Sequence, residues 1–113
     1  MGNKKSPLDQ KNFIEDNIDF DFYKTLFDPV RIEILLYLVV NGTKNIREIS
    51  ENFSQDRSVI SRHLDLMYRY GIVKKSKENR NTYYEADSKF VVDKFEKTSD
   101  SIRKMMSCCI SKD

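Results

Sequence analysis

A chain of 113 residues, 39% hydrophobic and 34% charged, suffices for one domain with a modest core. No apolar run approaches the length of about 18 residues that a membrane-spanning helix needs, and a formal net charge of +2 argues for no partner by itself. No nucleophile–base pair or carboxylate dyad stands out, and three glycines leave little scope for a phosphate-cradling loop, so neither an enzyme nor a cofactor is expected.

The start, "MGNKKSPLDQKN", is polar and lacks the apolar stretch of a secretory signal, and its Met-Gly-Asn match to a myristoylation pattern is too short to carry weight. Residues 1–12 are therefore expected to be a flexible tail, with a single domain over 13–113. Ile14, Ile18, Phe22 and Leu26 recur every fourth residue and predict an amphipathic first helix. Asp28 followed by Pro29 marks a restart, since Asp caps helices and Pro suits their first turn. The second helix, "PVRIEILLYLVV", is apolar over most of its circumference, reads as central, and ends at Asn41-Gly42.

A third helix opens at Asn45, with Glu48 three residues on completing a capping box, and Ile46, Ile49 and Phe53 form its apolar face. The fourth begins after Asp56, runs to about Tyr70 and closes on Gly71. The runs "IVKKS" and "TYYEA" predict a β-hairpin whose turn uses a positive φ at Asn79 or Asn81. A last helix is expected from Ser88 to about Cys109. The fold class is thus mainly α with a small β-hairpin (α+β), a winged helix-turn-helix of about five helices and a two-stranded wing.

Charge is unevenly placed along this plan. Residues 1–30 carry four Lys against six acids, whereas residues 54–86 carry seven Lys or Arg against four acids. The basic segment covers the fourth helix and the hairpin, the footprint expected of a part that approaches phosphates.

Advancing 100° per residue divides the fourth helix into two arcs. Arg57, Ser58, Ser61, Arg62, Asp65, Tyr68 and Arg69 share one, and Val59, Ile60, His63, Leu64, Leu66, Met67 and Tyr70 fill the other. Arg57, Ser58, Ser61 and Arg62 are therefore expected to enter the major groove of double-stranded DNA, with Lys75, Lys77 and Arg80 of the hairpin as further DNA contacts. His63, the only histidine, falls on the inward arc and is expected to hydrogen-bond within the fold rather than ligate a metal.

"LFDPVRIEILLYL", "IREISENFSQDRSVISRHLDLMYRYGIV" and "NRNTYYEA" resemble the ArsR/SmtB transcriptional regulators over about residues 20–87. The Asp-Pro-x-Arg start at Asp28, Pro29 and Arg31, the Ser-Arg-His-Leu at 61–64, Gly71 and Tyr84 carry the likeness. The resemblance implies a repressor that binds an inverted-repeat operator as a homodimer. Many family members release DNA on binding metal through cysteines in the first helix of the helix-turn-helix, or through Asp and His on the last helix. Here Asn45, Arg47 and Ser50 stand where those cysteines would fall, and the last helix has no His, so neither metal site is expected.

In the last helix Val91, Phe95, Thr98, Ile102, Met105 and Cys109 follow steps of 4-3-4-3-4, a heptad-like stripe. Together with Ile14, Ile18 and Phe22 of the first helix, the residues Val91, Phe95, Ile102 and Met105 are expected to form the seam of a two-fold homodimer, as in the family. Two cysteines, adjacent at 108 and 109, make no disulfide framework and suit a cytoplasmic setting. Adjacent helix positions diverge by about 100°, so one chain's two sulfurs do not converge on an ion unless the helix end frays or a partner contributes. Three readings of Cys108 and Cys109 stay open: soft metal or metalloid ligands, a redox switch, or inert seam residues. The corresponding alternatives for the chain are a thiol-, metalloid- or redox-responsive repressor, and, from another class, a winged-helix module for protein contacts. No effector is legible, nor is a membrane partner.

Overall fold

The computed structural model describes residues 6–109, with side chains through Ser107. The described residues form α1 (Pro7–Asn17), α2 (Phe20–Leu26), α3 (Pro29–Asn41), β1 (Lys44–Asn45), α4 (Ile46–Ser50), α5 (Arg57–Arg69), β2 (Val73–Glu78), β3 (Asn81–Ala86) and α6 (Ser88–Cys109). They group into two compact units, one of residues 22–91 and one of the two chain ends, up to residue 21 and from residue 92.

In the unit of residues 22–91, local chemistry sets each boundary. Asp28 Oδ2 accepts the N–H groups of Val30 and Arg31 at 3.0 and 3.2 Å, and Pro29 occupies the first turn of α3. That helix stops at Gly42, which takes φ 82°. Asn45 and Glu48 form the reciprocal capping box of α4, each side-chain oxygen 2.9 Å from the other's backbone nitrogen. After α5 the N–H of Gly71 donates to Tyr68 O and that of Ile72 to Met67 O, the paired bonds of a Schellman stop. Gly71 sits at φ 83°, and a Cβ there would lie 2.5 Å from Phe90 Cε2, so only glycine fits without displacing that ring.

The hairpin turn has two residues, Asn79 and Arg80, between the paired Glu78 and Asn81, and Asn79 supplies the positive φ of 58°. The sheet has a third member: β1 pairs with β3 through Lys44↔Tyr84 and Asn45↔Tyr83, giving the order β1-β3-β2. Two residues are too short for a pattern signal, which is why the sequence suggested a two-stranded wing. The core gathers Phe22, Leu26, Ile34, Leu38, Ile49, Ile60, Leu64, Met67, Ile72, Val73 and Tyr84. Full burial of one such side chain contributes about 1.5–3 kcal/mol. The second predicted helix is only half wrapped: Ile34 and Leu38 are buried, but Leu36, Val39 and Val40 of α3 are exposed.

Two expectations for the N-terminal part need correction. Residues 7–12, assigned to a tail, are helical: Ser6 accepts from Asp9 N–H at 3.1 Å and Pro7 opens α1. The stripe of Ile14, Ile18, Phe22 and Leu26 does not lie on one helix. Ile18 has extended backbone (φ −121°, ψ 125°) and caps α1, and α2 starts at Phe20. Asn17 and Asp19 flank this break, and both favour helix ends over interiors. In the chain-end unit Lys94 Nζ pairs with Asp19 Oδ2 at 2.7 Å, and Ser101 Oγ donates to Asn17 O at 3.4 Å.

Candidate nucleic-acid interface

The inner arc of α5 anchors the helix: Ile60, Leu64 and Met67 are fully buried, and Val59, His63, Leu66 and Tyr70 are half-buried. The outer arc follows from that anchoring. Arg57, Ser58, Arg62, Asp65, Tyr68 and Arg69 are exposed and Ser61 is half-buried. Asp56 holds the N-cap position, but its side chain accepts no capping bond, unlike Asp28 and Asn45. The N–H groups of Val59 and Ile60 reach Asp56 O, whereas those of Arg57 and Ser58 find no partner among the described residues. The head of α5 therefore presents free donors and the positive end of its dipole.

His63 is where two distant motifs meet. Arg31 Nη1 lies 3.1 Å from His63 Nδ1, Arg31 Nε donates to Thr25 O at 2.6 Å, and Asp28 Oδ1 stands 4.0 Å from Arg31 Nη2. A guanidinium can only donate, so Nδ1 must be the accepting nitrogen and the imidazole proton sits on Nε2. Burial and then the Arg31 charge lower the His63 pKa below its ordinary 6.5, with Asp28 opposing and Arg62 assisting. The neutral ring thus ties α5 to the start of α3 and to the end of α2. Its inward placement and bond within the fold agree with the sequence expectation.

The hairpin adds cations beside this face. Lys75 Nζ lies 4.5 Å from the centroid of the Tyr68 ring, a cation–π contact that joins β2 to α5. Lys74 is 3.9 Å from Glu85 with both side chains more than half exposed, a weak pair. Lys77 and Arg80 are exposed and in no ion pair among the described residues. Arg47, for which the sequence suggests no DNA contact, lines one groove with Arg57 and Arg80. Its only signal was exclusion from the apolar face of Ile46, Ile49 and Phe53.

At the positions where family cysteines would fall, Asn45 is committed to capping, Arg47 is exposed, and Ser50 Oγ is buried without a hydrogen-bond partner among the described residues. Among the described residues no three His, Cys, Asp or Glu side chains cluster as cation ligands. The side chains of Cys108 and Cys109 lie outside the described residues.

The expected seam residues separate. Phe95 and Ile102 are exposed at 42% and 40%, and Ile14, Ile18 and Met105 are half-buried. Phe22 is fully buried in the core of residues 22–91 and so leaves the seam, whereas Val91 is half-buried and packs against that core. A four-residue stripe cannot distinguish a chain's own core from a partner's. Val92 and Met106, absent from the expectation, are instead exposed beside Phe95 and Ile102.

Residues 28–75 match a protein-family profile described as bacterial regulatory protein, arsR family. An uncharacterized HTH-type transcriptional regulator of Methanocaldococcus jannaschii is 34% identical over 70 residues, covering 61% of this chain and 79% of the relative. A second such regulator from that organism is 34% identical over 79 residues, or 68% of this chain and 20% of the relative. Among solved structures, a possible transcriptional regulator for arsenical resistance aligns with a TM-score of 0.62 and 25% identity over 67% of this chain and 78% of its own. The transcriptional repressor BigR from Xylella fastidiosa shares the fold at 16% identity, with a TM-score of 0.56 over 96% of this chain and all of its own. No helix among the described residues is long and apolar enough to cross a membrane. The winged helix-turn-helix, the Asp28–Arg31–His63 linkage and these likenesses agree: the chain belongs to the ArsR family of DNA-binding transcriptional regulators.

Proposed function

We propose that this regulator is a cytoplasmic repressor that binds an inverted-repeat operator as a homodimer. The observation that carries this reading is the outer arc of α5, where Arg57, Ser58 and Arg62 are exposed and Ser61 is half-buried, beside a hairpin bearing Lys75, Lys77 and Arg80. Arg62 reads a base edge, Ser58 and Ser61 permit close approach, and the hairpin cations hold the backbone. The homodimer reading is supported by Val92, Phe95, Ile102 and Met106, which recur along α6 at heptad-compatible spacing and are 40–52% exposed. Two copies related by a two-fold axis would cover that stripe and place two α5 helices on matching half-sites. Repression then follows from occupancy of promoter DNA.

Fluorescence anisotropy with duplex DNA over a range of salt concentrations tests this reading. Binding should weaken steeply with salt, and Arg62→Ala should erase preference among sequences while Lys77→Ala lowers affinity for all of them. Salt-insensitive binding, or none, would leave the protein-contact alternative in possession.

A further inference from the structure

We propose that Arg47, Arg57 and Arg80 form one seat for a single phosphate of the DNA backbone, a contact that rests on the DNA-binding reading above. An open groove of about 410 Å³ lies between α4, the head of α5 and the hairpin turn. The three arginines line it with Asn45, Asn81 and Thr82, and no acidic residue is part of that lining. All three are exposed, and none is in an ion pair or side-chain hydrogen bond among the described residues. By contrast, Arg31 and Arg103 have carboxylate partners. The nearest acid in α4, Glu48, is occupied by the Asn45 N–H, and Asp56 precedes Arg57 without entering the groove.

Three guanidiniums around one groove repel one another in the free protein, and an anion between them relieves that repulsion. Planar N–H forks match the paired oxygens of a phosphodiester, and Asn81 and Thr82 offer neutral hydrogen-bonding groups. The unpartnered N–H groups of Arg57 and Ser58 at the head of the 13-residue α5 add to the same field. The groove is continuous through Arg57 with the outer arc that carries Ser58, Ser61 and Arg62, so the phosphate belongs to a duplex lying on that arc rather than to a free anion. Two assignments change as a result. Arg57 leaves the base-reading set for the backbone, and Arg47, from the helix preceding the recognition helix, joins the interface.

The test is the salt dependence of binding to a labelled mixed-sequence duplex, for the full chain and for Arg47→Ala, Arg57→Ala, Arg80→Ala and the triple variant. Shared ownership of one phosphate predicts that the triple variant lowers the slope of log K against log salt by about 0.9 per bound protomer. Three separate phosphates would lower it by about 2.7, and an unchanged slope would mean that no phosphate sits there; either result overturns the seat. Should the triple variant melt early, Arg47→Ala alone decides: weaker binding at unchanged thermal stability supports the seat, and unchanged binding overturns it. Absence of DNA binding by the unmodified chain would instead sink the DNA-binding reading itself.

Discussion

Residues 22–91 bury eleven hydrophobic side chains at 5% exposure or less, whereas the only side chain buried among the described residues of the chain ends is Ser101. Apolar residues are not scarce in the chain ends: Leu8, Val92, Phe95, Ile102 and Met106 are all there, and all are 40–65% exposed. Residues 22–91 close around a core of their own, although Phe27, Leu36, Val39 and Val40 remain exposed on them. The described residues of the chain ends bury no hydrophobic side chain and carry an apolar stripe along α6 that is 40–52% exposed. Such stripes on a small protein are the mark of an association surface, so the two units divide the proposed work: residues 22–91 read DNA, and the ends join copies.

The largest effect is expected from a cavity in the unit of residues 22–91. Leu64→Ala removes a fully buried side chain from α5 and should cost about 2–5 kcal/mol, read in a urea melt as a lower midpoint with little change in slope. The same kind of change in the ends should act differently. Phe95→Glu with Ile102→Glu should weaken self-association by about 2 kcal/mol or more and shift sedimentation toward the 13.4 kDa chain, with the fold retained by circular dichroism. A shared loss of fold in both variants would show that the division between units is wrong.

Smaller effects are expected from two other positions in residues 22–91. Gly71→Ala forces a left-handed backbone on a residue with a Cβ and drives that carbon into Phe90, so thermal stability should fall by about 1–3 kcal/mol. Titration of His63 should be smaller still. Burial and Arg31 hold its folded pKa below 6.5, so near that pH the unfolded chain takes up a proton that the folded chain refuses. Stability is therefore full above about pH 6.5 and lost as pH falls from there through the folded value. Melting temperatures at about pH 7.5 and pH 5 should show the drop, and His63→Gln, which keeps an acceptor for Arg31 but cannot titrate, should reduce it.

Legibility followed the range of the interaction. The Asp28-Pro29 restart, the Asn45–Glu48 box, the stop at Gly71 and the turn at Asn79 are local rules between residues at most a few positions apart, and each appears at its expected place. The arcs of α5 were legible because a core helix imposes a 3.6-residue period on burial. The break at Ile18 was hidden because the four-residue stripe runs straight across it. Likewise Phe22 and Val91 satisfy a stripe whether they face a partner or their own core. The Arg31–His63 bond spans 32 positions and the groove of Arg47, Arg57 and Arg80 joins three elements, so neither leaves a periodic trace.

Two copies that read DNA through α5 and meet through the chain ends should select a two-fold symmetric sequence. Selection of duplexes from a random pool by the purified chain, followed by sequencing of what is retained, examines both halves of that proposal together. The retained sequences should share an inverted repeat whose half-sites lie about one helical turn, or a multiple of it, apart. Retained duplexes with no common sequence, or with a single unrepeated site, would contradict it.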